Sequence, residues 1–183
     1  MSGRPQRLFV AAYPPEQSRR QMLEALGSIE PPPDSRSRLV PVSQLHMTLQ
    51  FIGETDARHL DDVTESVRRS VAGLGRLSVT PLRLITLPEK GVPRLIAMET
   101  DAPGVLIEAH RRLAMRLAKS PRAKAADRFL PHLTLCRFAG DATPSRVDLP
   151  VSLPPFEIAA VSLMCSVLKS GGAEHVLIAE CGL

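Results

Sequence analysis

Two short segments of the chain carry the same four-residue pattern, His-x-Thr-Leu. The first lies in "LHMTLQF", around His46 and Thr48, and the second in "PHLTLCR", around His132 and Thr134. Side chains of an extended chain alternate between two faces, so each histidine shares a face with its threonine while the leucines point the other way. Each copy therefore presents an imidazole and a hydroxyl about 6 to 7 Å apart along one strand.

The repetition of the pattern argues against coincidence. The chain has only five histidines, and a shuffled sequence of this composition contains about 0.03 matches to the pattern. A single copy is most often a structural pair at the surface or in a satisfied core. Two copies indicate either a shared chemical role or two structural copies from a duplicated lobe.

Two imidazoles and two hydroxyls suit acid–base chemistry on a phosphoryl group. Imidazole has an ordinary pKa of about 6.5, so one histidine can accept a proton while the other donates one. Hydroxyls can donate hydrogen bonds to non-bridging phosphoryl oxygens, where charge builds up during attack. In-line displacement needs base and acid on opposite sides of phosphorus, which two facing strands would supply.

Other chemistries have less support in the sequence. A zinc site would want a third ligand, and neither histidine has an HExxH pattern or an acidic neighbour. The phosphate-binding GxxxxGK[ST] loop, a GxGxxG turn and a GxSxG elbow are all missing from the sequence. Cys136, Cys165 and Cys181 are too widely spaced for a CxxC site and odd in number for a disulfide framework. The sequence therefore gives little support to a zinc, ATP-driven or serine-hydrolase mechanism, and the cysteines predict a reducing, cytoplasmic location.

Composition sets broad limits on the protein and its partners. With 183 residues and 44% apolar content, the chain can bury a core, and its net charge of +4 permits a phosphate-bearing partner. Aromatic residues are only 3% of the chain, which disfavours stacking of successive bases on several rings. No apolar run is long enough for a membrane span or a signal segment, and no heptad repeat is present. We expect a soluble monomer.

Periodicity predicts strands and helices in the mixed order of an α+β protein. Predicted strands cover residues 7–13, 39–52, 76–88, 94–100, 156–168 and 174–180; predicted helices cover residues 15–26, 56–72 and 103–119. Residues 144–155 are predicted to be a proline-rich connector, and residues 171–172 a turn. Both His-x-Thr segments have similar neighbours, which predicts two related lobes facing each other across a cleft.

The sequence resembles the 2H phosphoesterase superfamily, in particular the bacterial and archaeal RNA 2′,3′-cyclic phosphodiesterases, also called 2′-5′ RNA ligases. The likeness runs through "RLFVAAYPP", "LHMTLQFIGE", "PRLIAMET", "FLPHLTLCR" and "VSLMCSVLKSGGAEHVLI", in this order. It implies a bilobal α+β fold, with two facing antiparallel β-sheets, helices packed on the outside and a central cleft. Residues 1–183 would form a single domain made of two pseudo-symmetric lobes.

The resemblance also implies an activity and roles for individual residues. It implies hydrolysis of a 2′,3′-cyclic phosphate to a 2′-phosphomonoester with no metal or nucleotide cofactor. His46 would be the general acid and His132 the general base, while Thr48 and Thr134 would bind phosphate oxygens. Arg137 matches the arginine that follows the family's second motif, which implies a guanidinium clamp for the phosphate.

Arg137 and several residues outside the two motifs have their own predicted positions. Strict alternation puts Arg137 on the face opposite His132, so its role requires a bulge or the end of the strand. Ala97 and Leu130 depart from an aromatic residue and an arginine that are common in relatives. Phe9 is expected in the core rather than against a substrate base. His175, like the other histidines outside the motifs, is expected at a helix face or strand end with no catalytic part.

The partner implied by the resemblance is RNA with a 2′,3′-cyclic phosphate end, or a small cyclic nucleotide. Two alternatives remain open at this point: a non-catalytic module that binds RNA ends, and a phosphodiesterase acting on another cyclic nucleotide. Ligation without ATP is the reverse of phosphodiester cleavage and competes with water, so it is expected only as a side activity.

Overall fold

The computed structural model describes residues 5–29, 37–117, 129–138, 145–169 and 172–183. The described α-helices are α1 (Glu16–Glu24), α2 (Leu60–Val71) and α3 (Gly104–Leu117). The described strands are β1 (Gln6–Ala12), β2 (Ser37–Leu39), β3 (Met47–Thr55), β4 (Leu77–Val79), β5 (Pro81–Leu87), β6 (Leu95–Thr100), β7 (His132–Phe138), β8 (Asp148–Pro150), β9 (Phe156–Ile158), β10 (Ala160–Lys169) and β11 (Gly172–Gly182).

Two groups of antiparallel strands meet at the centre of the molecule. The strand order is β11-β10-β1-β3-β7-β6-β5-β8, with β2 paired to β7, and β4 and β9 form a separate two-stranded sheet. The groups β11-β10-β1-β3 and β7-β6-β5-β8 are joined by one residue pair, Met47 with Leu133. Because the join is this narrow, the strands that carry the two His-x-Thr segments diverge on either side of it.

The apolar side of both groups is buried, and helices cover it on the group that contains β3. Met47, Leu49, Leu133 and Leu135, the apolar residues of the two motifs, are fully buried. Helices α2 and α3 pack against each other, with α3 also contacting β3 and α2 contacting β10 and β11. The polar residues of the motifs are consequently left on the other face of the same strands.

The fold class predicted from the sequence is confirmed, and all three predicted helices are present. Residues 118–119 of the third predicted helix lie outside the described residues. Three predicted strands were too long. Residues 76–88 divide into β4 and β5, and residues 156–168 divide into β9 and β10, with each half in a different sheet. At the first break, the Thr80 amide binds the Asp101 side chain instead of a neighbouring strand. The predicted strand over residues 39–52 is interrupted by a short 3-10 helix at Val42–Gln44, which separates β2 from β3.

The predicted connector over residues 144–155 was also wrong in part, since it contains β8, which pairs with β5. Residue 144 lies outside the described residues. Of the predicted turn at residues 171–172, residue 171 lies outside the described residues.

No helix in the described part of the chain combines the length and the apolar character that a membrane span requires. The organisation as one domain of two pseudo-symmetric lobes stays a prediction.

Candidate active site

The four motif side chains surround the single residue pair that joins the two strand groups. Antiparallel pairing of Met47 with Leu133, extended by one residue in each direction, sets His46 across from Thr134 and Thr48 across from His132. Alternation puts all four on the face opposite the buried pair. The two imidazoles therefore occupy diagonal corners of a small quadrilateral, with a threonine at each remaining corner.

Both histidines are held by the same short hydrogen bond. Nδ1 of His46 lies 2.7 Å from the carbonyl oxygen of Gln44, and Nδ1 of His132 lies 2.8 Å from that of Leu130. A carbonyl oxygen only accepts, so each Nδ1 must carry the proton. In the neutral ring, Nε2 is then a lone-pair acceptor, and in the charged ring it is a donor. Each imidazole is thus oriented to exchange protons through Nε2.

A bulge follows each motif at the same position. The pairing register between β1 and β3 skips Leu49, and the register between β6 and β7 skips Leu135. A bulge inserts one extra residue and reverses the alternation beyond it. Phe51 and Arg137, three residues beyond the threonine in each copy, consequently return to the face of the histidines. Strict alternation would have put Arg137 on the opposite face, and the bulge at Leu135 brings it back to the face of His132.

These side chains line one cleft with a volume of about 830 Å³. Its lining includes His46, Thr48, His132, Thr134, Arg137, Phe51, Arg38 and His175. The hydroxyls of Thr48 and Thr134 make no hydrogen bond with any other described residue. They are therefore available to a ligand in the cleft.

His46 is enclosed by other rings. Its ring centroid lies 5.2 Å from that of Phe9, 5.5 Å from that of Tyr13 and 4.9 Å from that of His175. Burial lowers the pKa of His46 to about 4, opposed by its hydrogen bond to the Gln44 carbonyl. Positive charge on His175, Arg137 and His132 adds to the lowering. The free protein therefore keeps His46 neutral at pH 7.

This enclosure makes the stability of the fold depend on pH. The unfolded imidazole binds a proton near its ordinary pKa of 6.5, whereas the folded one does so only near 4. The resulting loss in the free energy of unfolding is absent above pH 7. It develops as the pH falls from about 6.5 to 4, where it amounts to roughly 3 kcal/mol. We expect the free energy of unfolding of the wild type to fall by roughly that much more than that of His46→Gln between pH 7.5 and 4, measured by urea titration. An equal fall in both proteins would contradict the assignment.

The structure places every predicted site residue at this cleft, and it adds others that sequence reasoning missed. His175 was expected at a helix face or strand end, but it lies within β11 and contacts His46 and Phe9. Its Nδ1 is buried without a hydrogen-bond partner among the described residues, and burial, followed by the positive charge of Arg137, lowers its pKa. Phe9 is only 4% exposed, as expected of a core residue, yet it also supports the His46 ring.

Phe51 is the second residue that sequence reasoning missed. Its side chain is 74% exposed although it is a large aromatic residue on a central strand. The sequence did hold one signal for this role, because Phe51 stands in "LHMTLQF" where Arg137 stands in "PHLTLCR".

Among the described residues, no group of three or more His, Cys, Asp or Glu side chains could hold a metal ion.

Comparisons with known proteins identify a matching family model and several relatives. The family model of the 2′-5′ RNA ligase superfamily matches residues 14–164. A Thermus thermophilus RNA 2′,3′-cyclic phosphodiesterase is 29% identical over 97% of this chain and 90% of its own. A Thermotoga maritima protein of the same name is 24% identical over 78% of this chain and 77% of its own. The crystal structure of the Thermus thermophilus protein TT0787 superposes with a TM-score of 0.80 at 27% identity, covering 97% of both chains.

Proposed function

The chain belongs to the 2′-5′ RNA ligase superfamily, and from that membership we propose that it hydrolyses RNA 2′,3′-cyclic phosphate ends to 2′-phosphomonoesters. The curated relatives named RNA 2′,3′-cyclic phosphodiesterase support this activity. The observation that carries the proposal is the diagonal placement of two imidazoles with identical Nδ1 anchors in one cleft. Such a pair can accept a proton on one side of phosphorus and donate one on the other.

His132 is the proposed general base. Nε2 of the neutral ring accepts a proton from a water molecule as the water oxygen attacks phosphorus. The bond between phosphorus and O3′ breaks, and His46 donates the Nε2 proton to the departing O3′. His132 ends the step charged and His46 neutral, so exchange with solvent restores both.

The low pKa of His46 must be reconciled with its role as proton donor. In the free protein the ring is neutral at pH 7, because its pKa is about 4. A phosphate anion about 4 Å away is worth roughly 4 kcal/mol at an effective dielectric constant of 20, which raises the pKa by about three units. The bound substrate thus raises the pKa of His46 enough for the ring to be protonated and act as the general acid. When the cleft is empty, His46 is neutral and no positive charge is buried there.

The phosphoryl oxygens have three proposed binding groups. The available hydroxyls of Thr48 and Thr134 stand at the other two corners of the quadrilateral, where they can donate to non-bridging oxygens. Arg137 brings a planar guanidinium to the same face, which can donate two parallel hydrogen bonds to the phosphate. These groups stabilise the negative charge that grows on the non-bridging oxygens during attack.

Phe51 is proposed to carry the terminal base. Its exposed ring lies in the cleft on β3, the strand that also carries Thr48. Stacking of one base on an aromatic side chain is worth about 1 to 3 kcal/mol. We therefore expect Phe51→Ala to lower kcat/KM for 2′,3′-cyclic AMP about tenfold, with Phe51→Tyr as the control that keeps the ring. Steady-state rates would decide, and equal values for wild type and Phe51→Ala would exclude the stacking role.

The proposed function is tested by incubation with 2′,3′-cyclic AMP and with a short RNA that ends in a 2′,3′-cyclic phosphate. Phosphorus NMR of the product should show a 2′-phosphomonoester, and EDTA should leave the rate unchanged. A 3′-phosphate product, or full inhibition by EDTA, contradicts the mechanism. Absence of turnover with retained binding would favour the non-catalytic RNA-end-binding module.

Two finer points follow the same proposal. Comparing the products formed from a panel of cyclic nucleotides would show whether the substrate is an RNA end or another cyclic nucleotide. Ligation of two RNA ends is proposed only as the reverse side reaction.

The three cysteines, Cys136, Cys165 and Cys181, are buried and form no disulfide among the described residues. This supports a reducing compartment such as the cytoplasm.

A further inference from the structure

We propose that Arg38 forms a second anion subsite in the cleft, which binds the phosphodiester group preceding the cyclic end of an RNA substrate. The inference rests on the proposed function and names the feature that would favour an RNA end over a cyclic mononucleotide. Arg137 serves the reacting phosphate, and Arg38 serves the next phosphate along the RNA chain.

The register of two strands carries the inference. Strand β2 pairs antiparallel with β7, and Arg38 is the direct partner of Arg137. Residues directly opposite in an antiparallel pair share a face, with Cβ atoms about 4.5 to 5.5 Å apart, and like charges at such positions are unfavourable. Both arginines line the cleft. A pair of like charges held side by side in a cleft indicates a binding site for anionic groups.

Carboxylates in the described part of the chain do not neutralise this pair. On the outer helices, arginines are matched by acidic residues, as where Glu65 binds Arg68 and Arg69. Arg38 and Arg137 have no ion pair or hydrogen bond from their guanidinium groups to any described residue. Their charge is available to a ligand.

The cleft has room for more than the reacting group. Its volume of about 830 Å³ lies near the upper end of the range of about 300 to 1,000 Å³ for clefts that enclose drug-sized ligands. Arg38 is exposed on a short strand at the side of β7, one strand spacing of about 4.8 Å from Arg137. A chain of phosphates leaving the reaction centre can therefore pass from one guanidinium to the other.

The test compares Arg38→Gln with wild type on three substrates: 2′,3′-cyclic AMP, the dinucleotide with a 2′,3′-cyclic end, and the same dinucleotide with an uncharged methylphosphonate linkage. Arg38→Gln should lower kcat/KM for the charged dinucleotide about tenfold more than for cyclic AMP. With the methylphosphonate, this selective loss should disappear. The salt dependence of log Kd for a product oligonucleotide should become shallower by about 0.7 in Arg38→Gln.

The matched control is Arg116→Gln, which removes the same charge from an exposed position on α3 outside the cleft lining and should leave all three rates unchanged. An equal loss on all three substrates would show that Arg38 serves the reacting phosphate, and no loss would show that it binds neither; both results overturn the proposal. If the wild type turns over none of the substrates, the proposed function fails, and binding of 2′-phosphate oligonucleotides with and without the methylphosphonate still decides the role of Arg38.

Discussion

His46→Ala and His132→Ala should each lower kcat/KM for a 2′,3′-cyclic phosphate substrate by about 10² to 10⁴, the usual worth of one proton-transfer group. The expectation follows from the position of each Nε2, which is directed to its task by the Nδ1 bond to a carbonyl two residues earlier. Initial rates with 2′,3′-cyclic AMP measure the loss. His59→Ala is the matched control, because His59 is an exposed histidine at the start of α2.

The two variants should differ on a substrate whose leaving group departs without a proton. A nitrophenyl phosphodiester has such a leaving group, so loss of the general acid matters less there. His46→Ala should regain much of its lost activity on this substrate, whereas His132→Ala should remain impaired because water still needs a base. The opposite pattern would exchange the two roles, and near-normal activity of either variant on the cyclic substrate would remove the mechanism.

Much of the fold could be predicted from the sequence because the apolar spacing was strong. The stripes of α2 and α3 and the alternation in the motif strands follow directly from burial. The divisions of residues 76–88 and 156–168 could not be predicted in this way, since a break in hydrogen bonding at one residue leaves the apolar pattern intact. Partner strands separate at these points, and partner choice is a tertiary property.

The site was predictable where it depends on residue type and unpredictable where it depends on register. Two His-x-Thr pairs predict acid–base chemistry on a phosphoryl group, but only the pairing of Met47 with Leu133 sets each histidine across from the other copy's threonine. The bulges at Leu49 and Leu135 have no marker such as glycine in the sequence. Contacts between distant strands, such as that of His175 with His46, are likewise invisible in a single sequence.

Arg137→Gln should lower kcat/KM by about 10² to 10³, comparable with the loss of one donor to a developing oxyanion. The bulge at Leu135 delivers its guanidinium to the cleft, where it can bind two phosphate oxygens at once. Arg137→Lys keeps the charge but loses the planar fork, so its rate should fall between those of wild type and Arg137→Gln. Initial rates with 2′,3′-cyclic AMP distinguish the three proteins.

The control for Arg137 is Arg94→Gln, since Arg94 is an exposed arginine beside the same strand pair that does not line the cleft. A second readout separates charge from folding: Arg137 contributes to the lowered pKa of His46. Arg137→Gln should therefore raise the pKa of His46 in the free protein, measured by NMR titration of the ring protons, while the rate falls. If the rate falls while the pKa of His46 stays unchanged, the guanidinium of Arg137 lies too far from His46 to bind the same phosphate. That result would contradict the proposed clamp.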